Sequence, residues 1–203
     1  MKIIQCEQRS EEWAEVRRGI PTASAFDRIV TMKGEPSKQR AAYLYELAAE
    51  RLSGVCEAGF VSDAMLRGIE REQEAREIYA MTSEVEVATI GFCLADDGRY
   101  GCSPDGLVGN DGVVEIKSPM GKTAIEYLLK GAVPSAYYQQ IQGGLFVTGR
   151  QWCDFVSYYP GLPLLALRVT PDIEFHEALA RELEAFCKEL DSICETIQVR
   201  VPA

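Results

Sequence analysis

Apolar residues recur along this chain with two different periods, and the two periods divide it into helical and extended parts. Leu44, Leu47, Ala48 and Leu52 fall on one face of a helix over 38–53, and Met65, Ile69, Ala75 and Tyr79 do so over 63–81. Tyr137, Ile141, Leu145 and Thr148 repeat the spacing over 135–148, which is that of an amphipathic helix. The longest run covers 173–197, where Leu179, Leu183, Phe186, Leu190, Ile193 and Ile197 step by 4-3-4-3-4. Between the second and third helices the pattern alternates or runs apolar over 84–95, 99–108 and 112–117. Asp96-Asp97-Gly98 and Gly109-Asn110-Asp111-Gly112 separate these segments as turns. Two further strands are predicted at 152–159 and 163–169, joined through Pro160-Gly161. Helices, a three-strand meander, a helix, a hairpin and a helix predict an α/β or α+β fold, a central mixed β-sheet flanked by helices. No repeat or linker interrupts 1–203, so the chain reads as a single domain ending in a long acidic helix at about 173–197.

Composition narrows the class. The 203 residues are 47% hydrophobic and 26% charged, with no apolar run of membrane-spanning length. The first residues, MKIIQCEQRSEEW, become charged too early for a secretory signal, and the expected location is cytoplasmic. Seven cysteines without regular spacing fit reduced thiols better than a disulfide framework. They offer no four-cysteine cluster for an iron–sulfur centre. His176 is the sole histidine. It is expected at the surface of the acidic helix, which leaves no second histidine for a histidine-based zinc site. The net charge of -10 argues against a protein that coats nucleic acid. Yet residues 171–198 carry eight acids against Arg181 and Lys188, whereas 1–51 hold nine Lys/Arg and eight Asp/Glu. A local basic channel is compatible with that distribution.

The segment with chemistry in it is Ser103-Pro104-Asp105-Gly106-Leu107-Val108, followed by Val114-Glu115-Ile116-Lys117-Ser118-Pro119. Side chains alternate along a strand, so Glu115 and Lys117 share one face and Val114 and Ile116 the other. An isolated Glu-x-Lys reads as an exposed cross-strand salt bridge. Apolar neighbours and the preceding Pro-Asp-Gly favour a site, because buried charges must be paired or ligating. Asp105 reaches the same face only if the intervening loop has an odd length, such as 109–111 or 108–112, or an equivalent bulge. Two carboxylates, with the Ile116 carbonyl, would then suit Mg²⁺, which takes few protein ligands and keeps several waters. Such a metal assists phosphodiester hydrolysis, and a lysine beside it can position or deprotonate the attacking water.

With those residues in view, the chain resembles the phage lambda exonuclease family of the PD-(D/E)xK nuclease superfamily, whose core is restriction-endonuclease-like. The resemblance spans most of the chain in four ordered matches. They are Trp13 to Ser24 (WAEVRRGIPTAS), Gly68 to Arg76 (GIEREQEAR), the hairpin with Asp105 ten residues before Glu115, and Tyr137 to Gln142 (YYQQIQ). It implies Asp105, Glu115 and Lys117 as the catalytic core, with Asp105, Glu115 and the Ile116 carbonyl on Mg²⁺, for which Mn²⁺ can substitute. Glu72, an acid on an apolar stripe, would hold a metal-associated water. Gln140 matches the active-site glutamine, with Gln139 and Gln142 as neighbouring alternatives. Arg17 and Ser24 match residues that bind the 5′-phosphate of the degraded strand, and a guanidinium with a hydroxyl at a helix start suits that anion. Trp13 reads as core, as do Cys187 and Cys194, and Gly143-Gly144 reads as a close helix contact.

The resemblance further implies a 5′→3′ exonuclease on double-stranded DNA ends, in a phage or prophage setting inside a bacterial cell. It would release mononucleotides and leave a 3′ single strand for recombination by annealing. It would act as a homotrimeric ring beside a single-strand annealing protein. The alternatives are an endonuclease or repair nuclease of the same superfamily, and a non-catalytic module that binds DNA ends.

Overall fold

The extended segments fold into two sheets rather than one. The computed structural model describes residues 1–56 and 63–200, the side chains of 63–67, 69–70 and 200 excepted. Its strands are β1 (Lys2–Ile4), β2 (Val87–Ala88), β3 (Phe92–Leu94), β4 (Gly101–Cys102), β5 (Gly106–Val108), β6 (Gly112–Lys117), β7 (Trp152–Ser157) and β8 (Leu165–Val169). The helices are α1 (Glu11–Arg17), α2 (Arg40–Ser53), α3 (Asp63–Ser83), α4 (Gly121–Lys130), α5 (Tyr138–Thr148) and α6 (Ile173–Arg200), with 3₁₀ turns at Ala23–Arg28 and Ser135–Tyr137. The central mixed sheet has the order β2-β5-β6-β7-β8, in which only the β6–β7 pair is parallel. A parallel pair needs a crossover, and α4 with α5 supplies it. The second sheet, β1-β3-β4, lies apart.

The expected meander is therefore corrected: segments 84–95 and 99–108 each divide between the sheets. Glycines permit the crowding where they divide. A Cβ on Gly91 would fall 2.3 Å from the Cys6 sulfur, and one on Gly101 2.2 Å from the Phe92 ring. The expected hairpin at 152–159 and 163–169 forms as β7 and β8.

Each face of the central sheet has its own apolar cluster. Val113, Cys153 and Phe155 pack with α2, α5 and α6, while Val114, Ile116 and Val156 pack with Ala75 and Tyr79 of α3. Helix α6 forms where the 4-3 spacing requires: Leu179, Leu183, Phe186 and Leu190 are fully buried, each stabilising by roughly 1.5–3 kcal/mol. Among its acids, Glu189 pairs with Arg40, and Asp191 pairs with both Arg51 and Arg99. Cys187 and Cys194 are core, as expected, and all seven thiols are free. Met65 and Ile69, which the sequence assigned to the apolar stripe of α3, lie outside the described side chains. His176 departs from its expected surface position. Its ring lies half-buried and edge-on to Phe146, with centroids 5.5 Å apart and Nε2 sealed from solvent. Among the described residues no helix is long and apolar enough to cross a membrane.

Candidate active site

The site begins with the register of one hairpin. β5 and β6 pair Val108 with Gly112 and Gly106 with Val114, which leaves a three-residue loop over 109–111. Gly109 turns that loop at φ +50°, a conformation natural to glycine. Carried one step beyond β5, the same register sets Asp105 opposite Glu115, and the loop has one of the two odd lengths the sequence required. Asp105 N donates to the Val114 carbonyl at 3.1 Å, and Asp105 Oδ2 accepts from Ile116 N at 2.6 Å. Arg150, at the entry to β7, clamps the turn from outside. Its Nη1 donates to the carbonyls of Val108, Gly109 and Gly112 at 3.3, 2.9 and 2.7 Å.

Three side chains meet on Glu115 or beside it. Lys117 Nζ donates to Glu115 Oε1 at 2.5 Å, and Gln140 Nε2 from α5 donates to the same oxygen. Lys117 also lies 5.2 Å above the Tyr137 ring. Burial pushes the Asp105 carboxyl well above the usual carboxylate range, and the neighbouring Glu115 charge adds to the rise. Burial alone would lower the Lys117 ammonium, but the charges of Glu115 and Asp105 outweigh it and raise its pKa. The remaining oxygens, Asp105 Oδ1 and Glu115 Oε2, accept no hydrogen bond among the described residues. Ile116 buries its side chain on the opposite face and still lines the cleft, so it presents main chain there. Among the described residues no group of three or more His, Cys, Asp or Glu side chains gathers as a metal cage. Two carboxylates on one face beside a main-chain carbonyl nevertheless fit Mg²⁺, which does not require such a cage.

Glu72, from α3, lines the same cleft of about 210 Å³. It is half-buried and held by two arginines: Arg76 Nη2 donates to Oε1 at 2.7 Å and Arg9 pairs with Oε2. Arg76 Nε also donates to the Asp105 carbonyl at 2.9 Å, tying α3 to the β5–β6 hairpin. Sequence reading missed both arginines. Arg76 carried a signal, since it follows Glu72 by one helical turn. Arg9 carried none, being 63 residues away in the chain. Arg9 is also held at φ +71°, a left-handed conformation that costs a non-glycine residue on the order of 1–3 kcal/mol.

Arg17 and Ser24 line the other end of the cleft. Arg17 ends α1 with its guanidinium 3.8 Å above the Trp13 ring, and its Nη2 lies 3.5 Å from Thr22 Oγ1. Thr22 Oγ1 shares a hydrogen bond with Ser24 Oγ at 3.2 Å. Arg17 forms no ion pair among the described residues, and burial lowers its pKa; a guanidinium stays charged regardless. Ser24 is the second residue of a 3₁₀ turn rather than a helix cap. Trp13 is only partly in the core. It lines the cleft, and its Nε1 donates to Ser103 Oγ at 2.9 Å and to the Gly91 carbonyl at 3.2 Å. The three glutamines diverge. Gln140 reaches Glu115, Gln139 reaches the Val30 carbonyl at 3.4 Å, and Gln142 bridges Thr170 and Asp172. Gly143 allows α5 to close on the 3₁₀ turn, since a Cβ there would sit 2.5 Å from the Phe26 ring. Gly144 meets no such contact and lines the cleft.

The model of the YqaJ-like viral recombinase domain matches residues 12–151, which carry every side chain just described except Arg9. An alkaline exonuclease from Laribacter hongkongensis superposes with a TM-score of 0.85 at 35% identity, covering 94% of this chain and 97% of that one. The same enzyme in complex with dAMP matches equally well. A phage-related exonuclease from Haemophilus somnus shares the fold, with a TM-score of 0.67 at 15% identity over 88% of this chain and 96% of that one. An uncharacterised protein of Acanthamoeba polyphaga mimivirus is 30% identical over 170 residues, 77% of this chain but only 30% of that protein's length. By sequence and by fold, the chain belongs to the YqaJ-like viral recombinase family, nucleases of the lambda-exonuclease type.

Proposed function

We propose that the chain is a Mg²⁺-dependent 5′→3′ exonuclease that acts on double-stranded DNA ends as one nuclease domain over 1–203. The observation that carries this reading is a single cleft with Asp105, Glu115 and Lys117 at one end and Arg17 and Ser24 at the other. Arg17 and Ser24 would hold the terminal 5′-phosphate, and the Trp13 ring beneath Arg17 limits how far the guanidinium can swing. Lys117, a charged ammonium fixed on Glu115, would orient a water toward the next phosphorus and offset the developing negative charge, the water's proton passing to solvent. Gln140 keeps Glu115 turned into the cleft, and Glu72 would orient a water from the α3 side. Bound by Asp105, Glu115 and the Ile116 carbonyl, Mg²⁺ would supply Lewis-acid polarisation of the phosphoryl oxygens. Water adds to phosphorus, the P–O3′ bond breaks, and the leaving oxygen takes a proton to become a 3′-hydroxyl. The released nucleotide keeps its 5′-phosphate, and the shortened strand acquires a new one for Arg17 and Ser24. The Laribacter enzyme's complex with dAMP, a 5′-mononucleotide, supports that product class.

A cytoplasmic protein of a phage or prophage, assembled as a homotrimeric ring with a single-strand annealing partner, completes the reading. The acidic exposed side of α6 would then face away from the DNA path or toward that partner. The test is digestion of linear duplexes with each strand labelled and with 5′-phosphate or 5′-hydroxyl ends. Nucleotides are expected from the 5′-phosphorylated strand first, with covalently closed circles untouched. Equal rates on both ends would remove Arg17 and Ser24 from their role, and cutting of closed circles would favour an endonuclease.

A further inference from the structure

Arg9 stands out on two independent grounds. Its backbone is held at φ +71°, and its side chain crosses to Glu72 of the candidate site although Glu72 already has Arg76. A left-handed non-glycine residue persists where the surroundings enforce it, and such residues cluster at ligand clamps. The position would be filled without strain by glycine, so the arginine is there for its side chain.

The location suggests what that side chain meets. The cleft of about 210 Å³ is adjoined by a larger groove of about 590 Å³, and the two share Gln8, Arg9, Glu72 and Asp105. Arg17 and Ser24 line the cleft and a separate pocket beside Tyr43 but not the groove, so a strand whose 5′ end rests on them and whose scissile phosphorus lies at Asp105 continues into the groove. Arg9 stands at that junction. Its ion pair is lopsided: the Arg9 side chain is 43% exposed and that of Glu72 only 14%. An exposed ion pair contributes little, and Glu72 keeps Arg76 if Arg9 departs.

We infer that Arg9 is a second phosphate anchor, which exchanges Glu72 for a backbone phosphate of the degraded strand on the groove side of the scissile bond. A guanidinium binds phosphate through paired charge-assisted hydrogen bonds, and its departure frees Glu72 Oε2 when DNA is in place. This rests on the DNA-end reading above, and it adds a contact on the far side of the reacting phosphorus from Arg17. A merely structural Arg9 would contribute to stability and not to salt dependence.

The decisive comparison is wild type against Arg9→Gly and Arg9→Lys, binding a fluorescent 5′-phosphorylated duplex in EDTA across a salt series. Arg9→Gly is expected to melt at the same temperature or higher, because glycine relieves the backbone. It should nevertheless bind roughly three- to tenfold more weakly, with a log–log salt slope shallower by about 1. Arg9→Lys should recover the slope and part of the affinity. Wild-type affinity and slope in Arg9→Gly would overturn the anchor, and so would a loss of affinity with an unchanged slope. If wild type itself fails to bind the duplex, the DNA-end function falls first and the anchor with it.

Discussion

Asp154 and Asp105 lie on opposite faces of one sheet, yet their surroundings treat them in opposite ways. Asp154, on β7, faces the α3 side. Tyr79 Oη donates to its Oδ2 at 2.7 Å, and Arg168 donates from Nε to Oδ1 at 2.8 Å and from Nη2 to Oδ2 at 2.9 Å. Burial pushes its pKa up, but the bonds from Arg168 and Tyr79 prevail and hold it below the usual carboxylate value. Asp105, with Glu115 opposite, faces the cleft, and its pKa moves well upward. One oxygen of each of those two carboxylates has no protein donor among the described residues. A buried acid whose lone pairs are filled belongs to the fold, whereas acids left half-filled and like-charged at close range mark a functional site. Mutations on the two faces should therefore affect different quantities.

The largest effect is expected at Lys117. Lys117→Ala should lower Mg²⁺-dependent nucleotide release on the order of 10³-fold, by loss of water positioning and charge stabilisation. Far-UV circular dichroism should still report a folded protein. Activity within a few-fold of wild type would erase the distinction between the faces. Asp154→Ala should do the reverse. It orphans Tyr79 Oη in the core and releases Arg168, and is expected to cost about 3 kcal/mol in urea unfolding. Activity per folded molecule should stay unchanged. Because the folded pKa of Asp154 is lowered, its stabilisation is present above its unfolded pKa of about 3.9 and fades as pH falls through the folded value. The gap between wild type and variant should accordingly close below about pH 4.

Metal addition sharpens the contrast. Mg²⁺ at a hundred times its dissociation constant should stabilise wild type by about 2.7 kcal/mol, read as a thermal shift. Asp105→Asn should lose that shift while melting no lower than wild type in EDTA, since it removes a like charge beside Glu115. An undiminished shift in Asp105→Asn would mean the cation binds elsewhere.

The sequence exposed the cleft face of the sheet more readily than the other. Glu115 and Lys117 alternate with Val114 and Ile116, and glycines flank an odd-length turn, so face, register and partner could all be read locally. Helices α2, α5 and α6 were legible because each buries a sustained stripe, and α3 because its stripe runs on to the buried Ala75 and Tyr79. β1, at three residues, and α1, with no buried residue, were too short or too exposed to show a period. α4 was missed because it buries only Ala124. The second sheet stayed hidden because its strands are two or three residues long and are selected by tertiary contacts such as Gly91 on Cys6. Asp154 did carry a signal, an acid within the apolar strand Trp-Cys-Asp-Phe-Val-Ser. Its partners Tyr79 and Arg168 come from distant elements and could not be read from spacing. The same holds for Arg9 on Glu72, and for His176, which packs on Phe146 of another helix.

The smallest predicted change tests the closed side of the comparison most finely. Tyr79→Phe removes one hydroxyl from a fully buried ring and leaves no cavity larger than that oxygen. Asp154 would keep both bonds from Arg168, whose guanidinium also stacks 3.7 Å above the Trp152 ring and so has little freedom to leave. The expected cost is about 1 kcal/mol, the net worth of one hydrogen bond whose acceptor retains other partners. A cost matching Asp154→Ala would mean that the tyrosine carries the network and the exposed arginine little. A fall in nucleotide release would mean more. Val114 pairs with Asp154 and Glu115 with Phe155 in adjacent rungs of the β6–β7 ladder. Strain on one face would then be reaching the register of Asp105 and Glu115 on the other, and the two carboxylate environments would have to be treated as a single coupled system.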